Sequence, residues 1–303
     1  MAEEAEFGRL VILGLGLIGG SLAKALKARG AVAEVVGFGH REVSLRKGVE
    51  LGVIDSYSLD LATAVADADV VVIATPTLVA ETMLERLAPL VGPDTLITDV
   101  ASVKGNLERT AQRVFGTLPP HLVLAHPIAG SEQSGVAAAK TDLFIGHRVV
   151  LTPAATTAAA AVNRIERMWA LTGAEVVRMS VAEHDAMLAA TSHLPHVLAF
   201  SLVDTLAGEP ERAGILRFAA GGFRDFTRIA ASDPQMWHDI ALANRPALLA
   251  AIDQFSDGLA ALRAAIDRGD GTSIMATFER AKRARDQFGE MLHQQQSATT
   301  SRE

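Results

Sequence analysis

Gly14, Gly16 and Gly19 stand as G-x-G-x-x-G within VILGLGLIGGSLAKAL, residues 11–26, between an apolar run and a helix-length segment. Glycine at 14 allows a tight turn, at 16 lets backbone approach a pyrophosphate, and at 19 lets helix and strand pack closely. The first turn of the helix, with Leu17 and Ile18, presents free N–H groups and a positive dipole end to phosphates. Spacing alone is a weak sign. Here strand, motif, helix and second strand follow in order, and together they predict a dinucleotide site. The acidic residue that holds the adenosine ribose in such sites falls about 20 positions past the last glycine. That position is Gly39, followed by His40 and Arg41. With no carboxylate there, a 2′-phosphate meets no repulsion and Arg41 can pair with it; equally, Glu42 or backbone groups can hold a plain ribose. The residues leave NAD and NADP both open.

Nine histidines supply the second set of chemical groups. His40, His121, His147, His184, His238 and His293 have no distinctive setting and read as surface or structural. His126 closes an apolar run in LAHPIAGSEQSG, where Pro127 fixes the turn. Ligands of doubly wound sheets bind beyond the carboxyl ends of the strands, so His126 is expected to face the nicotinamide end of the cofactor. His193 and His196 flank a helix-breaking Pro195 in SHLPH. A zinc site is disfavoured, because no Asp, Glu or His partners accompany them at metal-ligand spacing. In AAGGFRDFTRIAASDPQMW, 219–237, two glycines, charges and aromatics interrupt an aliphatic region and suit an anionic, ring-sized ligand. Arg224, Asp225 and Arg228 can also be read as a surface ion-pair cluster.

The elements that must position these groups fall into two halves. Apolar, β-branched runs at 10–14, 34–38, 69–74, 95–100, 122–126, 148–153 and 174–179 alternate with helix-length segments. Alternation of this kind predicts an α/β fold with right-handed crossovers and a mostly parallel, Rossmann-like sheet. Past residue 181 the strand signal stops. VAEHDAMLAATSHLPHVLAFSLVDTLAG reads as a helix interrupted at Pro195, with further helices over 235–266 and 272–292. The expected division is a dinucleotide-binding domain over 1–181, an all-helical substrate and dimerisation domain over 182–292, and a disordered tail over 293–303.

Composition narrows the partners. The chain of 303 residues is 49% hydrophobic and carries a net charge of −7 with the two signs interspersed. This disfavours nucleic acid and anionic membrane surfaces. There is no cysteine, which excludes disulfides and thiol chemistry. The N-terminus lacks signal-peptide character, and the apolar stretches read as shorter than the roughly 18 residues of a membrane span. A cytoplasmic protein is expected.

LGLGLIGGSLAKAL, TDVASVKG, HPIAGSEQSG, TSHLPH and GGFRDFTRIAASDPQMW occur in the order seen in prephenate dehydrogenases, a family that includes arogenate and broad-specificity cyclohexadienyl dehydrogenases of tyrosine biosynthesis. The resemblance covers residues 9–292 and leaves no segment for a fused chorismate mutase or a C-terminal regulatory domain. It implies oxidative decarboxylation of prephenate, with arogenate as the alternative substrate. His126 matches the catalytic histidine that accepts the proton of the ring hydroxyl. Ser102 matches the serine that contacts that hydroxyl, the histidine and the nicotinamide. Arg228 matches the arginine that binds a substrate carboxylate, and His196 a second substrate-contacting histidine. Ser131, Glu132, Gly221 and Trp237 match other pocket positions. The cofactor-binding set is Gly14, Gly16, Leu17, Ile18, Gly19, Gly39, His40, Arg41, Thr75 and Ser102. NAD is the expected cofactor. Gly39, where many NAD-dependent members carry aspartate, opens the way to NADP as well.

Two other classes are weighed against this. A β-hydroxyacid or 6-phosphogluconate type of dehydrogenase would place a lysine on the first helix of the helical half, where TSHLPH stands. A non-catalytic dinucleotide sensor would be expected to lose His126 and Arg228. Along 235–266, Leu242, Leu248, Leu249, Ile252, Phe255, Leu259, Leu262 and Ile266 recur on more than one helix face, which points to a homodimer.

Overall fold

The computed structural model describes residues 5–131, 133–209, 214 and 217–300, with side chains to 291. Its centre is an eight-stranded sheet in the order β3-β2-β1-β4-β5-β6-β7-β8. The strands are β1 (Phe7–Leu13), β2 (Val32–Phe38), β3 (Ser56–Ser58), β4 (Val70–Ile73), β5 (Leu96–Asp99), β6 (Leu122–Pro127), β7 (Arg148–Thr152) and β8 (Glu175–Arg178). Pairing is parallel from β3 through to β6, antiparallel between β6 and β7, and parallel again between β7 and β8. Seven strands match the apolar runs of the sequence. β3 is an addition: its three residues, Ser-Tyr-Ser, carry no apolar run, and they pair only because β2 offers them an open edge.

Period-2 alternation explains why both faces are covered. Leu10, Ile12, Val70 and Val72 face one core with Leu22 and Leu26 of α1 (Leu17–Ala28) and Ile165 and Trp169 of α6 (Ala159–Ala170). Val11, Leu13, Val71 and Ile73 face the other, against α3 (Leu61–Val65), α4 (Thr77–Leu87) and α5 (Gly105–Phe115). Each such side chain taken fully out of water contributes about 1.5–3 kcal/mol. α2 (Glu42–Glu50) adds Leu45 to the first core. The chain thus turns to opposite faces after β1 and after β4, and a crevice opens at the carboxyl ends of these neighbours.

After β8 the chain is helical. A capping box, with Ser180 Oγ accepting from the Glu183 amide and the Glu183 carboxylate accepting from that of Ser180, starts α7 (Val181–Leu188). A π-helical turn, Ala189–His193, joins it to α8 (Leu194–Gly208). Pro195 sits in the first turn of α8, so it widens the helix into a π turn without breaking it. This corrects the expectation of short apolar stretches. Val181–Gly208 is one helix of 28 residues, long and apolar enough by length and composition to cross a membrane, with 17% of its most apolar window buried.

Next come α9 (Gly221–Thr227), a 3-10 turn at Arg228–Ala231, α10 (Pro234–Ala243), α11 (Arg245–Asp267) and α12 (Gly271–Thr300). The helix expected over 235–266 is therefore two. Asn244 ends the first and Pro246 fits the opening turn of the second. The last helix runs past residue 293, where the sequence reading places the start of disorder; no Gly or Pro stands there to stop its propagation. By compactness the chain divides into Met1–Leu248 and Leu249–Glu303, the latter holding the rest of α11 and α12.

The loop between β5 and α5 is fixed by a buried ion pair. Lys104 and Asp99 are 0% and 1% exposed, and Lys104 Nζ donates to the Asp99 carboxylate and, at 2.6 Å, to the Ala125 carbonyl. Asp99 also accepts from the amides of Ala101 and Ala125. Lys104→Met leaves that carboxylate buried without its cation and is expected to cost about 3–5 kcal/mol. Urea unfolding measures it, and an unchanged midpoint contradicts the assignment.

Candidate active site

The glycine turn stands at the crevice between β1 and β4. Gly14 has φ +98°, and a Cβ there would stand 2.7 Å from the Ala74 carbonyl oxygen and 2.9 Å from Thr75 Cγ2. No side chain fits. A Cβ on Gly19 would lie 2.7 Å from Ile12 Cγ2, which is the close helix–strand packing the motif requires. A Cβ on Gly16 would meet nothing within 4 Å, so the space in front of it is free for a ligand. α1 has no side-chain cap, which leaves the amides of Leu17, Ile18 and Gly19 for phosphate oxygens. Thr75 Oγ1 is buried without a partner, an orphaned polar atom beside the turn. These features fit a dinucleotide.

At the end of β2, Gly39, His40 and Arg41 lead into α2. A Cβ on Gly39 would make only an ordinary contact, 3.8 Å to Leu45 Cδ2. Glu42, the nearest carboxylate, already accepts from Arg46 and from the Tyr57 hydroxyl, both at 2.9 Å. Both bonds go to one carboxylate oxygen, Oε1, one from its own helix and one from β3, so its second oxygen carries no bond among the described residues.

His126 is the penultimate residue of β6, at the same sheet edge as the glycine turn and two strands from β4, or about 10 Å. Its Nδ1 lies 2.9 Å from His184 Nε2, and His184 Nδ1 lies 2.8 Å from Asp185 Oδ1. A carboxylate only accepts, so His184 donates from Nδ1 and, when neutral, must accept at Nε2. His126 therefore donates from Nδ1, and its Nε2 carries a lone pair. The structure thus sets the tautomer a proton acceptor needs. Burial, then the neighbouring His184, Lys104 and His193, hold the pKa of His126 well below the ordinary 6.5, so its ring is neutral.

Asp185 anchors the chain of imidazoles. Its Oδ1 also accepts from the Lys104 amide at 2.9 Å and its Oδ2 from the Gly105 amide at 2.8 Å, capping α5 from a distant helix. Burial pushes its carboxyl up; hydrogen bonds from His184 and from these amides outweigh that and hold it below the usual range. A Cβ on Gly105 would stand 2.8 Å from Asp185 Oδ2, which accounts for the glycine of TDVASVKG. Ser102, half-buried, lies in the same loop.

A second group gathers around Trp237. His196 stacks on its ring at 3.5 Å between centroids, and His193 meets it edge-on at 6.2 Å. The Trp237 indole Nε1 is buried without a partner, a second orphaned donor. His196 donates from Nδ1 to the Ser192 carbonyl at 2.9 Å, one turn back across the π turn, which leaves Nε2 as acceptor. Burial lowers its pKa, and the nearby Arg228 guanidinium lowers it further. Asn244 donates to His193 Nδ1 at 3.1 Å and to the Asp185 carbonyl at 2.8 Å. Burial above all pushes His193 down to about 4.

The structure thus links His126 with His184, and His196 with Trp237 and Arg228. Ser131 is exposed on the loop after β6 and, among the described residues, bonds locally to Gln133. Gly221 opens α9, exposed. Glu132 lies outside the described residues. His184 corrects the sequence reading: it is 0% exposed and touches the candidate base. The adjacent carboxylate in EHD was its signal, because a His-Asp pair on a helix can orient an imidazole. His193 and Asn244 join the site only through the fold.

Residues 22–178 match the nucleotide-binding domain of prephenate dehydrogenase, and residues 180–280 match its dimerization domain. The chain is similar to cyclohexadienyl dehydrogenase of Zymomonas mobilis, 39% identical and covering 92% of this chain and 95% of that one. It is also 39% identical to prephenate dehydrogenase of Bacillus subtilis, over 91% of this chain and 75% of the relative. Among solved structures it resembles prephenate dehydrogenase from A. aeolicus in complex with hydroxyphenyl propionate and NAD+. The TM-score is 0.88 at 34% identity, over 94% of this chain and all of that one.

The tautomer and burial of His126 have a direct spectroscopic consequence. Its ring is expected to titrate well below 6.5 in a nitrogen-15 NMR pH series, with Nδ1 protonated and Nε2 not. A midpoint at or above 6.5, or the reverse tautomer, contradicts the relay.

Proposed function

The chain belongs to the prephenate dehydrogenase family, and on that footing we propose that it oxidises and decarboxylates prephenate to 4-hydroxyphenylpyruvate, a step of tyrosine biosynthesis, with NAD. The observation that carries this reading is the His126–His184–Asp185 chain of contacts at 2.9 and 2.8 Å, at the same sheet edge as the glycine turn. A β-hydroxyacid type of enzyme is set aside by the family match.

In this reading the cofactor supplies a hydride acceptor. His126 Nε2 takes the proton of the ring hydroxyl as the C–H bond at that carbon breaks and the carbonyl-like oxygen forms. The bond to the ring carboxylate breaks in turn, CO₂ leaves, and its electron pair completes the aromatic ring while the ring oxygen takes its proton back from His126 Nε2 to give the phenol. Aromatisation drives the reaction, so the protein's work is orientation and proton acceptance. Ser102 hydrogen-bonds the hydroxyl from the β5–α5 loop. Arg228, beside His196, binds a carboxylate with its planar fork. Trp237 and His196 form the stacked wall, and the unpartnered indole N–H offers a donor to the substrate. Ser131, Glu132 and Gly221 stand at other pocket positions of the family resemblance. Gly14, Gly16, Leu17, Ile18, Gly19, His40, Arg41, Thr75 and Ser102 hold the cofactor.

A homodimer in the cytoplasm belongs to the same reading. Leu242, Leu249, Phe255, Leu259 and Ile266 are 54, 47, 39, 54 and 58% exposed, and they lie within the residues that match a dimerization domain. Leu248, by contrast, is buried within the chain. Cover for that much apolar surface is what an obligate interface, typically above about 2,000 Å², provides.

His126→Asn is expected to retain NAD binding and to lose roughly 10²–10⁴-fold in kcat with prephenate. Turnover near the wild-type rate refutes the assignment, and rates with arogenate in the same assay rank the two substrates. Gly39 bears on the second nucleotide. With no carboxylate at this position, NADP is accepted alongside NAD. Gly39→Asp places a negative charge against a 2′-phosphate and is expected to depress NADP-dependent activity at least about tenfold while sparing NAD. Equal loss with both cofactors shows that position 39 does not face the ribose.

A further inference from the structure

The phosphate-binding turn uses Gly14, Gly16 and Gly19, but the stretch contains a fourth glycine, Gly20, for which the dinucleotide motif has no use. Its place in the fold shows what it admits. A Cβ on Gly20 would stand 2.9 Å from Ala139 Cβ, with Val53 Cγ1 at 3.6 Å and Val136 Cγ2 at 3.7 Å. The next two turns of α1 add directed contacts to the same segment. Ser21 Oγ accepts from the Lys140 amide at 2.9 Å, and Lys24 Nζ donates to the Ala139 carbonyl at 2.8 Å. Ser21 is fully buried, and Val136 and Ala139 are each 5% exposed. Segment 136–140 is therefore keyed to α1 by one steric and two hydrogen-bonded contacts.

That segment is the far end of the loop that leaves the candidate base. β6 ends at Pro127, and the Ile128 amide donates to the Arg148 carbonyl at 2.7 Å. From there to Gly135 the chain runs to its second fixed point, the contact with α1, and in between it carries Ser131 and Glu132. Anchors fixed before a ligand arrives lower the ordering cost of binding.

We propose that Gly20, Ser21 and Lys24 are positioning residues for substrate recognition: they form a seat on the cofactor helix that fixes segment 136–140, which follows the loop bearing Ser131. This rests on the reading of that loop as part of the substrate pocket. One helix then presents its first turn to the nucleotide and its next two turns to the substrate loop, so both ligands are placed by the same rigid element.

The test exchanges volume across the contact. Gly20→Ala is expected to raise KM for prephenate roughly ten- to a hundredfold, with kcat and NADH affinity little changed. Adding Ala139→Gly removes the opposing methyl and is expected to return KM to within about threefold of wild type. An unchanged KM in Gly20→Ala, or a raised KM that Ala139→Gly does not lower, overturns the proposal. A second measurement needs no turnover. In Ser21→Ala, hydrogen exchange at the Lys140 amide is expected to quicken at least about tenfold, while core amides of β1 keep their rates. Unchanged exchange at Lys140 overturns the seat. Wild-type protein inactive on both prephenate and arogenate defeats the functional reading instead, and the exchange result then decides the seat alone.

Discussion

The site depends on one carboxylate. Asp185 comes from the helical region after the sheet, yet it completes two structures that precede it in the chain. Its two oxygens take the amides of Lys104 and Gly105, and so close the open end of α5. Its first oxygen also takes the Nδ1 proton of His184. A helix N-terminus favours negative charge and so helps keep the carboxylate ionised. An ionised carboxylate in turn fixes the proton on His184, and through it the proton on His126. Fold stability and acid–base readiness are thereby the same set of hydrogen bonds, and neither can be altered alone.

The buried Lys104–Asp99 pair works from the other side. It ties the end of β5, the loop that carries Ser102 and the carbonyl just before His126 into one unit. The loop between β5 and α5 is thus clamped at one end by a cation and at the other by a carboxylate. Ser102 is carried between two fixed points, which limits how far its hydroxyl can move.

Much of this was legible in the residues themselves. Local chemistry left clear marks: the glycine spacing, the apolar strands, and a histidine at a strand end followed by proline. What was not legible depends on distant pairs. His184 looks like any surface histidine until the fold brings it against His126. Asn244 reads as one polar residue in a long helix, although it ends α10 and bonds both His193 and the Asp185 carbonyl. Pro195 looks like a break because a proline removes one backbone donor. The chain accommodates it by widening one turn, and so joins two expected segments into one helix. β3 shows the same limit at a sheet edge, since only the neighbouring strand makes Ser-Tyr-Ser extended.

The single reversal of direction in the sheet, between β6 and β7, has a consequence for how such an enzyme can diversify. Because β7 runs back from the edge where β6 ends, the chain from Ile128 to His147 leaves and re-enters the sheet on the same side. It never has to cross a face. Its length and composition are free of the crossover geometry that constrains every other connection from β1 to β6. Val136, Leu143 and Phe144 are buried in the first core, so exchange is confined to the exposed positions of that excursion, where each strand still keeps its register. The architecture therefore lets the exposed part of that excursion, around Ser131, change while the sheet that carries the glycine turn stays as it is.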